Sequence, residues 1–384
     1  MQARLHPALA LLCLFPLLLT AQSADILVSS RNTNSVKRYS FDGSYLGDFI
    51  MPNAGALTNP QDLLWLPDGS LLVTGIGNSA IKHYDGSSGT FLGNFSSGYN
   101  LDRPTKMSVG PDGALYVSQW GSTQNKIARF NLQTGVFIDE FTETGVPQGC
   151  GHYWDADGNL YVASFGQGTN GNVHRFAPDG SFLGIAINSA HLQGPVGMWV
   201  DENGDFMITD WTLGQVLRFG ATGLAYEGVF ISGMQNIEGF LIDDGRFIYL
   251  CDWTANLIRR FQPDGQGSQI FTSAGGMQAP NALAFFPVAN GAGAPAAPAF
   301  GIDSIFPNPL RATATIRFTL PSATSLRLDI LSTDGQVLAT LAKGHYTAGP
   351  HEVSGDFSRL PDGSYLCRLQ AYGREKVTKA VVRR

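Results

Sequence analysis

Apolar and polar residues alternate along most of this chain in short runs of period two, and no stretch of useful length has helical periodicity. Runs such as Leu115-Tyr116-Val117 and Val173-His174-Arg175-Phe176 have the β-branched and aromatic composition of a half-buried strand. Between such runs stand Pro67-Asp68-Gly69, Pro111-Asp112-Gly113 and Asp157-Gly158, which supply the positive φ that a tight hairpin turn requires. The pattern repeats. One strand ends at Val28, Val73, Val117, Val162, Ile208 and Leu250, and the next closes on an aromatic at Tyr39, Tyr84, Phe130, Phe176, Phe219 and Phe261, with successive spacings of 42–46 residues. Four strands per repeat at this period predict an all-β, six-bladed β-propeller over residues 24–287.

The ends of the repeat array predict how the ring closes. The first unit opens at its second strand, Ile26–Ser29, and lacks an inner strand. The missing strand follows the sixth unit as Pro280-Asn281-Ala282-Leu283-Ala284-Phe285-Phe286. Pairing the two hides a pair of open sheet edges.

Outside the repeats, composition divides the chain into further parts. Ala8–Leu19 is a short apolar run behind Arg4, with small residues after it, which reads as a signal peptide over residues 1–23 cleaved after Ser23; it is too short to span a bilayer. Residues 288–300 are Ala, Gly and Pro without charge, a linker. Residues 301–384 carry further short strands around Asp334-Gly335, including Ala314–Leu320, His345–Val353 and Gly363–Gln370, and predict a small Ig-like β-sandwich.

Charge and cysteine content narrow the partners. Residues 24–300 hold 13 Lys+Arg against 24 Asp+Glu, whereas residues 301–384 hold 11 against 7. An acidic body argues against nucleic acid and against an anionic membrane surface. Past the signal peptide, Cys150, Cys251 and Cys367 are an odd set. Cys150 and Cys251 fall in non-adjacent repeats and read as small buried hydrophobes rather than a disulfide.

The repeat units resemble NHL repeats, six-bladed propellers of the TolB-like group. The likeness is carried by Ile208-Thr209-Asp210-Trp211 with Val216-Leu217-Arg218-Phe219, and by Tyr249-Leu250-Cys251-Asp252-Trp253 with Leu257–Phe261. The aspartate of that pattern stands only at Asp210 and Asp252. The tail resembles the type IX secretion sorting domain, through Pro307-Asn308-Pro309, Thr315–Pro321, Ala348–Val353 and Leu360–Leu369. That resemblance implies export across the outer membrane, with the secretion machinery as partner and the cell surface or medium as workplace.

Candidate chemistry is sparse. Gly166–Gly171 spells GxGxxG but lies between two strands, with no helix N-terminus for a pyrophosphate, so it reads as a loop. The Asp155-x-Asp157 and Asp201-x-Asn203 sets coincide with hairpin turns, where these residues serve the backbone, although calcium could use the same oxygens. His83, His174, His345 and His351 have no ligand spacing and are expected at the surface.

The start of each inner strand and the end of its antiparallel neighbour share one face, the channel mouth. Beyond the second strands stand Arg31, Ile76, Trp120, Phe165, Trp211 and Trp253, either a recognition surface for a glycan or protein or packing wedged between blades. Arg31, Trp120, Phe165, Trp211, Trp253, Asp210 and Asp252 are the candidate ligand-binding residues. Counting back from the turn glycine aligns Asp62, Lys106, Gly151, Gly197 and Glu238 beside the channel. Asp62 and Lys106 could pair, and Glu238 has no evident basic neighbour. The Asn281 context resembles that of lactonase-type propellers, which implies an alternative: Asp62, Glu238 and Asn281 around a divalent metal such as calcium, in a hydrolase or lyase. The leading expectation is a binding protein without cofactor.

Overall fold

The computed structural model describes residues 24–287, 300–306, 310, 313–320, 324–333, 335–347, 349–371 and 374–383. The expected signal peptide, nearly all of the expected linker and Pro307-Asn308-Pro309 lie outside the described residues.

Residues 24–287 form six four-stranded antiparallel sheets. The inner strands, in ring order, are Pro280–Phe285, Pro60–Trp65, Pro104–Val109, Gly149–Trp154, Pro195–Val200 and Ile237–Ile242. Each packs beside the next and the last packs beside the first, so the ring is closed. The predicted clasp is present: Pro280–Phe285 is the inner strand of the first sheet and pairs with Ile26–Ser30, Val28 opposite Leu283. Beyond it the Phe286 N–H donates to Asp25 O, and the Arg38 guanidinium lies 3.7 Å from the centre of the Phe286 ring.

The period of the sequence is the period of the core. Val28, Val73, Val117, Val162, Ile208 and Leu250 are fully buried, and the six closing aromatics from Tyr39 to Phe261 are buried with them. Burying each such side chain contributes roughly 1.5–3 kcal/mol. The turn glycines have the expected positive φ, 85° at Gly69 and 82° at Gly113. The sixth blade departs from this. There Arg246 takes the positive φ of 63°, and Gly245, the glycine used to align Glu238, does not.

Gly301–Phe306, Thr313–Leu320 and Gly349–Asp356 form one sheet of the tail; Val337–Tyr346, Thr324–Leu331, Gly363–Ala371 and Arg374–Val382 form the other. Ile316 and Phe318 of the first meet Leu328, Ile330 and Leu369 of the second in a single core. The run expected as one strand, His345–Val353, is broken between Tyr346 and Gly349, because its two halves belong to different sheets. Asp329, fully buried on the second sheet, is held by Arg327, Arg368 and Thr340.

Cys150, Cys251 and Cys367 are buried free thiols. His174, expected at the surface, is instead buried among Phe176 and Phe182. Gly166–Gly168 is a short 3-10 turn between two strands, a loop as its context required.

Candidate functional site: the propeller mouth

Every inner strand slips register against its neighbour near its first residues. Such bulges re-aim side chains. One hydrogen bond then recurs in all six blades. The backbone N–H groups of Arg31, Ile76, Trp120, Phe165, Trp211 and Trp253 donate to the carbonyls of Ala279, Asn59, Arg103, Gln148, Gly194 and Asn236, each the residue before an inner strand. Four of those acceptor residues, Asn59, Arg103, Gln148 and Ala279, have positive φ between 49° and 56°. Non-glycine residues adopt that conformation only where the surroundings impose it.

The six aligned positions form a nearly continuous arc. Ring centroids are 4.8 Å apart from Trp120 to Phe165, 5.9 Å from Phe165 to Trp211 and 5.7 Å from Trp211 to Trp253. The Arg31 guanidinium carries the arc onward, 5.9 Å from the Trp253 ring. All five side chains are half-buried, and Ile76, the sixth aligned residue, is buried. The rings meet tilted or edge to face, so the arc is an interlocked wall rather than a flat platform. These side chains pack against one another between neighbouring blades at the channel mouth. The indoles of Trp65 and Trp154 donate inward, to Phe285 O and Ser108 Oγ. Those of Trp120, Trp211 and Trp253 have no acceptor among the described residues, and none is a buried unpaired atom.

Asp210 and Asp252 lie beneath this wall, fully buried. Asp210 accepts the N–H groups of Gln193, Gly194 and Leu213; Asp252 accepts those of Gln235 and Asn236 and faces Arg259 at 3.4 Å. Through these bonds the two carboxylates hold the loops around Trp211 and Trp253. Blades without the aspartate do the same work otherwise: the Gln119 side chain accepts the Asp102 N–H, Ser164 bonds Pro147 O, and Ser30 bonds both N–H and C=O of Gln278.

Below the wall, the channel opens into a well of about 180 Å³ lined by Asp62, Lys106, His152 and Glu238 among others. Asp62, Lys106, Gly151, Gly197, Gly239 and Ala282 occupy the third position of their inner strands. Glu238 stands one position earlier, in line with Gln61 and Asn281; the alignment on Gly245 misplaced it. A Cβ on Gly151 would come within 2.7 Å of Gly197 Cα, and one on Gly239 would collide with Asn281 O, so close strand packing requires these glycines.

The expected pairing of Asp62 with Lys106 is present at 3.9 Å. Lys106 Nζ also donates to Gln61 O at 3.2 Å and Asn281 O at 3.1 Å. Gln61, not foreseen as a site residue, joins the set by donating to Glu238 Oε1 at 2.7 Å and accepting from Asn281 Nδ2. Burial raises the Glu238 carboxyl above its ordinary range, while Lys106 and Arg31 oppose that shift and Asp62 adds to it. Glu238 thus has basic neighbours on the first and third blades. Burial also raises Asp62, against Lys106 and the Met107 N–H. His152 is pushed down to about 4, first by burial and then by Lys106.

Of the three residues weighed as metal ligands, Asp62 accepts the Met107 N–H and faces Lys106, one Glu238 oxygen takes Gln61, and the Asn281 Nδ2 group donates to Gln61, while Asn281 Oδ1 is buried without a partner among the described residues. The Lys106 ammonium rests on two carbonyls and faces the Asp62 carboxylate. Among the described residues no group of three His, Cys, Asp or Glu could hold a metal ion. In the turns, Asp155 Oδ1 accepts the Asp157 and Asn159 N–H groups, and Asp201 Oδ1 those of Asn203 and Asp205.

Comparison with known proteins agrees with this architecture. Residues 304–383 match the family model of the secretion system C-terminal sorting domain, and the tail is such a domain. The chain is similar to a chain of a nidogen–laminin complex, with TM-score 0.56 and 15% identity over 68% of this chain and 97% of that one. It is also similar to a protein of unknown function from Bacteroides caccae, with TM-score 0.52 and 15% identity over 68% and 98%. A virginiamycin B lyase from Staphylococcus aureus is a weaker likeness, TM-score 0.48 and 14% identity over 68% and 89%. At these identities the likeness shows the fold alone. No curated protein matches the chain. Fold and tail define the class: a β-propeller protein carrying a C-terminal signal for export to the cell surface or medium. No helix among the described residues is long and apolar enough to cross a membrane.

Proposed function

We propose that this is an extracellular recognition protein of the NHL-like propeller type, with the mouth of the propeller as its binding face. Residues 1–23 direct it to the first membrane, and the sorting domain hands it to the type IX machinery for the second. One observation carries the reading: the run Trp120, Phe165, Trp211, Trp253 and Arg31 crosses five of six blades, half-buried, with three indole N–H donors left without acceptors among the described residues. Amphipathic rings with a polar handle at a concave mouth bind ligands by apolar contact and directed hydrogen bonds together. The built-in Lys106 ammonium favours this over the metal-dependent hydrolase or lyase reading at Asp62, Glu238 and Asn281. The test is ligand capture from the extracellular matrix of the producing cells. Trp211→Ala and Trp253→Ala each remove capture while chelators leave it unchanged. Capture that survives both substitutions, or that a chelator abolishes, contradicts the proposal.

A further inference from the structure

We infer that the well beneath the arc receives one neutral, polyhydroxylated unit, the terminal hexose of a glycan whose following units lie along the aromatic wall; this rests on reading the mouth as a recognition face. Size comes first. A well of about 180 Å³ is smaller than the roughly 300–1,000 Å³ of pockets for drug-sized ligands. It takes one small unit of something longer.

Charge comes second. Lys106 pairs with Asp62, and Glu238 feels both Lys106 and Arg31, so cations and anions balance around the well. An anion entering it would meet two carboxylates, and a cation would meet the Lys106 ammonium, with the Arg31 charge acting from outside the lining. A neutral ligand meets neither penalty.

Hydrogen bonding comes third. His152 Nε2 is buried and without a partner among the described residues, while its Nδ1 lies 2.9 Å from Ser118 Oγ. The Ser118 hydroxyl is buried with only that partner, so its proton goes to Nδ1 and Nε2 carries the hydrogen. Nε2–H is thus a donor beside the well. Lys106 has a third N–H beyond the two on carbonyls. On the other side, one Glu238 oxygen takes Gln61 and the second has no partner among the described residues. Hydroxyl groups donate and accept at once, so a polyol satisfies both kinds of group. The glycines of the fourth to sixth blades and Phe240, with Met107, Val196, Met198, Ala282 and Leu283, form the remaining, apolar wall, suited to the C–H face of a sugar ring.

The experiment is calorimetric titration of the full chain with glucose, mannose, galactose, their neutral trisaccharides, glucuronate and galacturonate, followed by monodeoxy forms of whichever hexose binds. The expected result is binding of a neutral hexose, tighter as its trisaccharide. At least one deoxygenation should weaken it about tenfold or more, because the buried partner is left unpaired. Glu238→Gln, nearly isosteric, should weaken the monosaccharide by a similar factor, and Trp211→Ala only the trisaccharide. Failure of every hexose to bind overturns the inference, as do deoxy forms that all bind within about twofold or a uronate that binds tighter. Trisaccharide binding lost in Trp211→Ala but indifferent to deoxygenation and to Glu238→Gln would leave the arc as the recognition face and sink the well. Because the deoxy series alters the sugar and not the protein, it decides the matter even if a variant fails to fold.

Discussion

Lowering the pH should cost this protein stability through one imidazole. His152 stands in the channel wall with its pKa pushed from 6.5 to about 4, first by burial and then by the Lys106 ammonium. A folded pKa below the unfolded one means that the unfolded chain takes the proton first. The stabilisation is complete above the unfolded value and is lost as pH falls from about 6.5 towards 4. The full shift corresponds to roughly 3 kcal/mol, of which about 2 kcal/mol is lost between pH 7 and 4.5. Asp62 and Glu238, which also line the well, work in the opposite sense. Their carboxyls are raised by burial, so protonating them favours the folded state as pH falls. They are common to wild type and His152→Gln and largely cancel in the comparison. Urea unfolding of both proteins at pH 7, 6, 5 and 4.5 reads the effect. Wild type should lose about 2 kcal/mol more than the variant over this range, with unchanged m-values. A difference between the two proteins that stays flat with pH would refute the argument and place His152 in contact with water.

Deleting residues 279–287 removes the inner strand of the first blade and exposes the edge of Ile26–Ser30; the protein should aggregate or lose cooperative melting, and unchanged melting would show that closure lies elsewhere. Removing residues 301–384 should abolish export while leaving a propeller that melts as before; normal appearance in the medium would contradict the assignment of the tail. Gly239→Ala puts a methyl group against the Asn281 carbonyl and should cost about 1–3 kcal/mol in urea melts, whereas Gly228→Ala on the outer strand, with open space at its Cβ, should lose only through its φ of 137°. Equal losses would mean that the inner strands are not closely packed.

The propeller was legible because each repeat states its strands twice, once in alternation and once in turn chemistry. Six aligned copies average out local exceptions, so even the strand displaced to Pro280–Phe285 could be assigned. The arc was legible for the same reason: a position three residues past Val28, Val73, Val117, Val162, Ile208 and Leu250 is fixed by covalent geometry. The well was less so. Its alignment passed through a turn, and in the sixth blade Arg246 rather than Gly245 holds the positive φ, which shifted Glu238 by one position and hid Gln61 as its partner. Counting from the second strand instead, with Ile237 opposite Asp252 as Pro60 is opposite Gly75, would have set Glu238, Asn281 and Gln61 in one ring. The roles of Asp210 and Asp252 were not legible at all. That these carboxylates are fully buried and accept backbone N–H groups depends on loops that the repeat pattern does not specify.

Whether the mouth meets a ligand is reported directly by the indoles of the arc, those of Trp120, Trp211 and Trp253, which have no acceptor among the described residues. In a ¹H–¹⁵N spectrum of the full chain, titrated with neutral gluco-, manno- and galacto-oligosaccharides, the indole N–H signals of Trp120, Trp211 and Trp253 should shift. Those of Trp65 and Trp154, bonded inward to Phe285 O and Ser108 Oγ, should stay in place. Shifts confined to Trp65 or Trp154, or a spectrum that no oligosaccharide changes, would contradict the assignment of the mouth as a glycan-recognition face.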